Sequence, residues 1–358
     1  MRILHLSDRA STRGGADWHL QGVIAALAER GQEQLLSVER DDGTATSACD
    51  VHEVAGLDAP RPERAIAARL DELVDSYGPD RIHVHNVMRA DVLAWAADRG
   101  AIATVQDHRS FCPGSGKLTL AGAVCREPMA TETCAACFED GDYHRRIQRV
   151  TEDRAEALRS MAALTVLSHY MKRQLVAIGV EARRIHVIPP FVHGLDMGAE
   201  PDGPPCVLFA GRLVATKSAD NAVAAWQQTG SELPLVIAGT GSLRQQLEAR
   251  GVDVLGWVPH ERMASLYARA RVLLMPSRWQ EPFGIVGLEA LSMGVPVVAW
   301  ESGGVHEWHP GGQLLVQWGD RTGLAAALSL ALQQPPEVSA PAGFEREALT
   351  EQLLSVYR

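Results

Sequence analysis

Short apolar runs alternate with helical patterns twice along this chain, and a single proline- and glycine-rich stretch separates the two series. The first series reads as strands at 2–7, 34–38, 81–86, 101–106, 163–168 and 184–189. Helical patterns lie between them at 16–30, 62–77, 89–99, 145–160 and 169–178. Leu20, Val23, Ile24 and Leu27 share one stripe of the first helix. The second series has strands at 205–211, 233–239, 252–256, 271–276, 295–299 and 313–317, and a last helix runs over about 344–357. Strands separated by helices must be parallel and covered on both faces. Between the series, Pro189, Pro190, Pro201, Pro204 and Pro205 combine with Gly194, Gly198 and Gly203 to stop either pattern from continuing. The alternation predicts two doubly wound α/β domains facing each other. The first spans 1–190, a linker 191–204, and the second 205–342, with residues 343–358 forming a helix that returns to the first domain.

The 358 residues suit two domains of roughly 150–200 residues. A formal charge of −10 disfavours a nucleic-acid binder, which works by neutralising phosphates. No apolar run reaches the roughly 18–20 residues of a membrane span, and the N-terminus lacks a signal-peptide core. A cytoplasmic protein with at most peripheral membrane contact is expected.

Four turns carry chemistry. The strongest is the segment 281–299, in which Glu281 and Glu289 are separated by seven residues. Glu281 precedes Pro282 and a helix start near Phe283–Gly284, and Glu289 falls inside that helix. The two carboxylates lie up to roughly 12 Å apart along the axis, too far to share a proton or metal. They are placed to receive hydroxyls at two ends of an extended ligand, with an anion at the helix N-terminus between them. Leu288, Ala290 and Leu291 make the helix around Glu289 look buried, and a buried carboxylate needs partners. The second turn, 209–217, follows a strand and holds Arg212 and Lys217 where open α/β sheets bind anions. Lys217 is one of three lysines, with Lys117 and Lys172. The third has Gly14–Gly15 between the first strand and helix, without the spacing of the dinucleotide fingerprint. The fourth has Gly239 and Gly241, which could lie against a nucleotide, although two glycines in such a turn are more often just a turn.

In this order the four elements resemble the family 4 retaining glycosyltransferases of GT-B fold, and the likeness covers nearly the whole chain. The resemblance implies transfer of a sugar from a UDP-, GDP- or ADP-linked donor to an acceptor, with retention of anomeric configuration and no metal for the chemistry. It implies that Arg212 and Lys217 hold the donor diphosphate and that Glu281 contacts the donor sugar beside the amides of Phe283 and Gly284. Glu289 would bind the ribose, Trp257 and Val258 would lie near the base, and Gly15 and Gly241 would border the donor or acceptor. Many members carry a histidine and then an aspartate at the end of the strand here ending in Gln106, Asp107 and His108. Gln106 can hydrogen-bond a sugar hydroxyl but cannot titrate; His108 is the other candidate for a sugar or acceptor contact. Ser218 stands where the family prefers glycine, and Pro189–Pro190–Phe191 replaces its usual Pro-Asn-Gly.

Residues 107–142 have little periodicity and contain Cys112, Cys125, Cys134 and Cys137. The closing Cys-x2-Cys can chelate one ion, and four thiolates around a structural zinc would order a segment lacking its own core. Some family members have a similar cysteine set. Reduced thiols or a disulfide are the alternatives, and His108 or His144 could replace one thiolate. His83 and His85 share a strand face, as a metal pair or as packing. Two other functions fit the same motifs: an epimerase-like GT-B enzyme, which needs titratable groups and no acceptor, and a silent nucleotide-sugar binder.

Overall fold

The computed structural model describes residues 1–45, 48–58 and 65–358. Residues 62–64, the start of the helical pattern expected over 62–77, lie outside the described residues. The chain divides into two units: Met1–Phe191 with Glu345–Arg358, and Val192–Phe344.

The first unit has strands β1 (Arg2–Ala10), β2 (Glu33–Asp41), β3 (Asp50–Glu53), β4 (Arg81–Val84), β5 (Ile102–Val105), β6 (Ala163–Val166) and β7 (Ile185–Val187). Its helices are α1 (Gly15–Glu29), α2 (Ile66–Tyr77), α3 (Ala90–Ala97), α4 (Thr131–Ala135), α5 (Gly141–Ser160) and α6 (His169–Ala177). Among the described residues the strands form one sheet in the order β3-β2-β1-β4-β5-β6-β7, every pair parallel. The order reverses direction between β1 and β4, the point at which a doubly wound sheet opens a crevice at its strand ends.

The second unit has β8 (Cys206–Ala210), β9 (Leu235–Ala238), β10 (Asp253–Gly256), β11 (Ala270–Met275), β12 (Val297–Trp300) and β13 (Leu315–Val316). Its helices are α7 (Ala219–Thr229), α8 (Arg244–Glu248), α9 (His260–Arg269), α10 (Ile285–Ser292) and α11 (Arg321–Gln333). The sheet order is β10-β9-β8-β11-β12-β13, again parallel, with its reversal between β8 and β11. The last helix, α12 (Arg346–Tyr357), belongs to the first unit. Leu349, Leu353, Leu354 and Tyr357 are buried with Ile3, Val23, Leu27 and Ile102. The three leucines alone contribute roughly 5–9 kcal/mol of apolar burial. Arg346 pairs with Glu29 at 2.7 Å, and Arg30 pairs with Glu351.

Several elements differ in extent from the sequence pattern. β3 is short, exposed and nearly without apolar residues, so no alternation marks it. β13 keeps only two residues because Gly311 and Gly312 take positive φ just before it. The stretch expected as a linker associates with the second unit, where Asp202 pairs with Arg269 at 3.3 Å. Residues 107–142 are more ordered than their lack of periodicity suggests. The Cys125 amide donates to the Lys117 carbonyl (2.7 Å) and the Thr119 amide to that of Ala123 (2.8 Å), closing a small hairpin. Helix α5 begins at Gly141, ahead of the expected 145, because the Asp140 side chain caps it by accepting from the amides of Asp142 and Tyr143.

Candidate functional site

At the reversal point of the second unit, the exits of β8 and β11 are stitched together. After β8 the chain turns through Gly211–Lys217, and the amides of Arg278 and Trp279 donate to the Thr216 carbonyl at 2.8 and 3.2 Å. Ser218 completes the turn at φ 56°, a left-handed conformation that glycine adopts without strain. That explains the glycine preference at this position. Lys217 Nζ then lies 2.7 and 2.9 Å from the two oxygens of Glu281, whose residue is only 2% exposed. Ser277 Oγ donates to the same carboxylate. The Lys217 ammonium is 4.8 Å from the Trp279 ring centroid and the Arg212 guanidinium 5.8 Å, so one indole carries two cations. Burial works to raise the pKa of Glu281. The charge of Lys217 and hydrogen bonds from Lys217, Ser277 and Trp279 outweigh it, and the net shift is downward. Loop 302–304 closes over this group: the Gly304 amide donates to the Glu281 carbonyl (2.8 Å) and the Gly303 amide to Gln280 Oε1 (3.0 Å). A Cβ on Gly303 would sit 2.1 Å from the Glu281 carbonyl oxygen, so no other residue fits.

Glu289 lies one element further on. Helix α10 begins after Gly284, which takes φ 93°, and packs so closely on Trp308 that a Cβ on Gly287 would fall 1.9 Å from the indole. Trp308 Nε1 donates to the Phe283 carbonyl at 2.7 Å, fixing the start of the helix. Glu289 is 4% exposed. Its Oε2 accepts from Tyr267 Oη at 2.8 Å, and its Oε1 lies 3.1 Å from His260 Nε2. The hydroxyl of Tyr267 is shifted well above the usual range, by burial first and then by the neighbouring carboxylate. Trp257 is 42% exposed beside the start of α9, with Val258 half-buried next to it. Trp300 and Trp308, by contrast, are core residues.

Gly239 and Gly241 have a structural reason to be glycine. A Cβ on Gly239 would lie 1.9 Å from the Gly211 carbonyl oxygen, and one on Gly241 2.4 Å from that of Leu213. The loop is pressed against the 211–213 turn, where the Leu213 amide donates to Thr240 and the Leu243 amide to Leu213. Gly241→Ala should therefore destabilise the ligand-free protein by about 1–3 kcal/mol, read from urea unfolding. Unchanged stability with weaker nucleotide binding would reverse this explanation.

In the first unit, Gln106 follows β5 directly and is half-buried, and its Nε2 has no hydrogen-bond partner among the described residues. His108 points into the core: it is 2% exposed, with Nε2 3.1 Å from Tyr170 Oη and its ring edge-on to Phe111. Gly15 opens α1 beside an ion pair the sequence does not announce, Arg9 Nη2 to Asp17 Oδ2 at 2.8 Å. A Cβ on neighbouring Gly14 would meet that Asp17 oxygen at 3.1 Å.

The sheet brings His5 of β1 alongside His83 of β4 and His85 just after it, all buried, with ring nitrogens within 4.8 Å of one another. Gln34 Nε2 donates to the Ile24 carbonyl, which leaves its Oε1 to accept from His5 Nε2 at 3.0 Å. His5 Nδ1 then accepts from His85 Nε2 at 3.0 Å. His83 bridges Tyr357 Oη (2.5 Å) and Thr104 Oγ1 (2.7 Å). Burial lowers the pKa of all three rings and so favours their neutral form.

The four cysteines of residues 107–142 line one pocket with Phe111, Lys117 and Met129. The Lys117 amide donates to Cys112 Sγ at 3.4 Å. The Cys137 amide donates to the Cys134 carbonyl at 2.9 Å, the turn that brings the closing pair together. Among the described residues the three histidines form a group at ligand spacing, whereas the cysteine sulfurs share the pocket without closing to that spacing. His144 is stacked on Phe138.

Residues 204–334 match the glycosyl transferases group 1 family, and residues 13–193 match Glycosyltransferase Family 4. The chain is 28% identical over 299 residues to a glycogen synthase of Mycobacterium tuberculosis, a match that covers 77% of this chain and 65% of that protein. Its fold is similar to that of sucrose-phosphate synthase from Thermosynechococcus elongatus, at TM-score 0.72 and 19% identity, covering 100% of this chain and 98% of the other. It is also similar to Anabaena HepE in complex with UDP and glucose, at TM-score 0.68 and 19% identity, covering 100% and 97%. No helix among the described residues is long and apolar enough to cross a membrane.

Proposed function

The chain belongs to glycosyltransferase family 4 and has the GT-B architecture of two Rossmann-like parallel-sheet domains, and on that basis we propose that it moves a sugar from a nucleotide-sugar donor to an acceptor with retention of anomeric configuration. The observation that carries this reading is the Lys217–Glu281 pair at the strand ends of β8 and β11, with Arg212 and Lys217 gathered at one indole. Two cations at the reversal point suit a diphosphate. An ammonium has three donors. Lys217 spends its donors on Glu281 before the donor arrives and has at least one to offer the incoming phosphate. Held in this way, its charge is in place before the reaction, and preorganised charge is what stabilises a leaving diphosphate. Glu281 receives donor-sugar hydroxyls, with the amides of Phe283 and Gly284 at the start of α10 aimed at the phosphates. Glu289 takes the ribose, Trp257 and Val258 border the base, and Gly241 holds the loop beside them. On the other unit, Gly15 and Gln106 stand at strand ends where an acceptor is positioned. The leaving phosphate takes the acceptor's proton on the same face, so no side chain need act as base and no metal is needed.

The complex of HepE with UDP and glucose makes UDP-glucose the first donor to try. A thermal-shift panel of UDP-, GDP- and ADP-sugars tests the donor class, because a ligand that binds only the folded state raises its melting temperature. A product sugar whose anomeric configuration, read by NMR, is inverted relative to the donor would contradict the mechanism. Epimerised donor formed without acceptor would replace the transferase by an epimerase.

The same reading includes the subgroup with a cysteine-rich insertion and gives Cys112, Cys125, Cys134 and Cys137 a structural zinc ion. Support comes from their convergence on one pocket and from the amide that already donates to Cys112 Sγ, an interaction suited to a thiolate. Replacing Cys134 and Cys137 with serine should remove bound zinc and lower the melting temperature by several degrees. Metal analysis of the purified wild-type chain that finds no zinc would end the assignment.

A further inference from the structure

We propose that Tyr267 and His260 make the donor site selective for ribonucleotides over deoxyribonucleotides by fixing the carboxylate of Glu289. The inference rests on the reading of Glu289 as the ribose acceptor, and it assigns that selectivity to two residues of another helix. His260 and Tyr267 are seven apart on α9, two turns along one face, and both reach the same carboxylate. They bind different oxygens: Tyr267 Oη lies 2.8 Å from Oε2 and His260 Nε2 3.1 Å from Oε1. Each carboxylate oxygen accepts two hydrogen bonds. One direction on each oxygen is therefore taken, and one remains on each for the two hydroxyls of a vicinal diol. A carboxylate clamped at both oxygens cannot rotate, so the remaining pair of directions is fixed in space.

The two glutamates differ in a way that suits this division of labour. Glu281 is matched to the permanent cation of Lys217. Glu289 is held by a phenol and an imidazole, neither of them a permanent cation, and keeps its strength as an acceptor for hydroxyls. Its near-complete burial makes an unmet acceptor costly, so a sugar that lacks the 2′-hydroxyl forfeits more than one contact. His260 also opens α9 directly after Trp257, Val258 and Pro259, so the segment expected to border the base and the carboxylate expected to bind the ribose share one anchor.

The test titrates the full chain by calorimetry with UDP, ADP and GDP and with their 2′-deoxy counterparts. For the nucleotide that binds best, the ribo form should bind roughly 10- to 100-fold more tightly than the deoxy form. Tyr267→Phe, which keeps shape and burial, should bring that ratio to within a few fold while leaving affinity for the deoxy form nearly unchanged. His260→Gln should lower the ratio by a smaller factor. A merely structural role for Tyr267 would weaken both nucleotides equally and preserve the ratio, which overturns the proposal. Glu289→Gln separates the two layers. If it collapses the ratio and Tyr267→Phe does not, Glu289 still binds ribose and only the positioning role is lost. If Glu289→Gln leaves the wild-type ratio, the ribose assignment itself falls. Failure of all three ribonucleotides to bind overturns both.

Discussion

Lys217→Ala is expected to cut turnover by roughly 10²- to 10³-fold, the scale seen when one preorganised charge-stabilising group is removed. The same substitution strips Glu281 of its counter-charge. The pKa of Glu281 now lies below its ordinary value, which the Lys217 charge and the hydrogen bonds achieve against burial. Without Lys217 the burial effect gains and the pKa rises, with the hydrogen bonds from Ser277 and Trp279 left to oppose it. Breaking a buried pair by removing one partner costs about 3–5 kcal/mol, and the part exposure of Lys217 puts this case at the lower end. Loss of activity through loss of fold must therefore be separated from loss of chemistry. The double variant Lys217→Met with Glu281→Gln removes both charges and leaves no orphan, so it should regain most of the stability in urea unfolding. Its turnover should stay as low as that of the single variant. A double variant that recovers both stability and turnover would show that the pair only holds the turn together, and Lys217 would lose its diphosphate role.

That distinction could not be drawn from the sequence, and the reason is geometric. The chain order shows Glu281 and Glu289 on either side of a helix start, and Arg212 and Lys217 after a strand. Nothing in that order says that Lys217 and Glu281 touch, because the contact depends on β8 and β11 being neighbours in the sheet. The histidine trio has the same origin. His83 and His85 are visible as alternate residues of one strand, but His5 joins them only through the parallel register that places it opposite His83. Tyr267 and His260 were within reach, since a polar residue seven positions after another recurs on one helical face. Their shared partner lies on a different helix, so spacing alone gave them no role. Gly303 carried no signal at all: its need for hydrogen in place of a side chain comes from a loop 22 residues away in sequence. The strand–helix alternation was legible because burial on both sheet faces writes itself into local composition. β3 escaped because an exposed edge strand of four residues has no such constraint. The surroundings of His108 were hidden for a related reason: Tyr170, 62 residues further on, meets it only in the folded chain.

Acid should unfold the first unit well before the carboxylates of the second titrate. Burial lowers the pKa of His5 from 6.5 to about 4, against the raising effect of its hydrogen bond to Gln34. His83 and His85 are pushed well below 6.5 by burial and then by their neighbours. The folded state thus favours neutral rings, while the unfolded chain binds protons from about pH 6.5 downward. Their contribution is complete above pH 6.5 and is lost as the pH falls toward 4. Each histidine costs about 1.4 kcal/mol per pH unit over that span. Three of them acting together set an upper limit of about 6 kcal/mol between pH 6.5 and 5, comparable to the whole stability of an ordinary domain. His19, lowered to about 4 by burial, and His186, also lowered by burial, add in the same direction. The Lys217–Glu281 pair works in a lower window: Glu281 is depressed below 4.5, so its contribution persists until the pH drops beneath that value. Urea midpoints taken from pH 7.5 to 5 should fall steeply below 6.5. His85→Asn should flatten the slope by about one proton's worth, even where it lowers stability at pH 7.5. A midpoint that holds constant down to pH 5 would mean that the trio is hydrated or already charged in the folded chain, and the description of three neutral, buried rings would have to be abandoned.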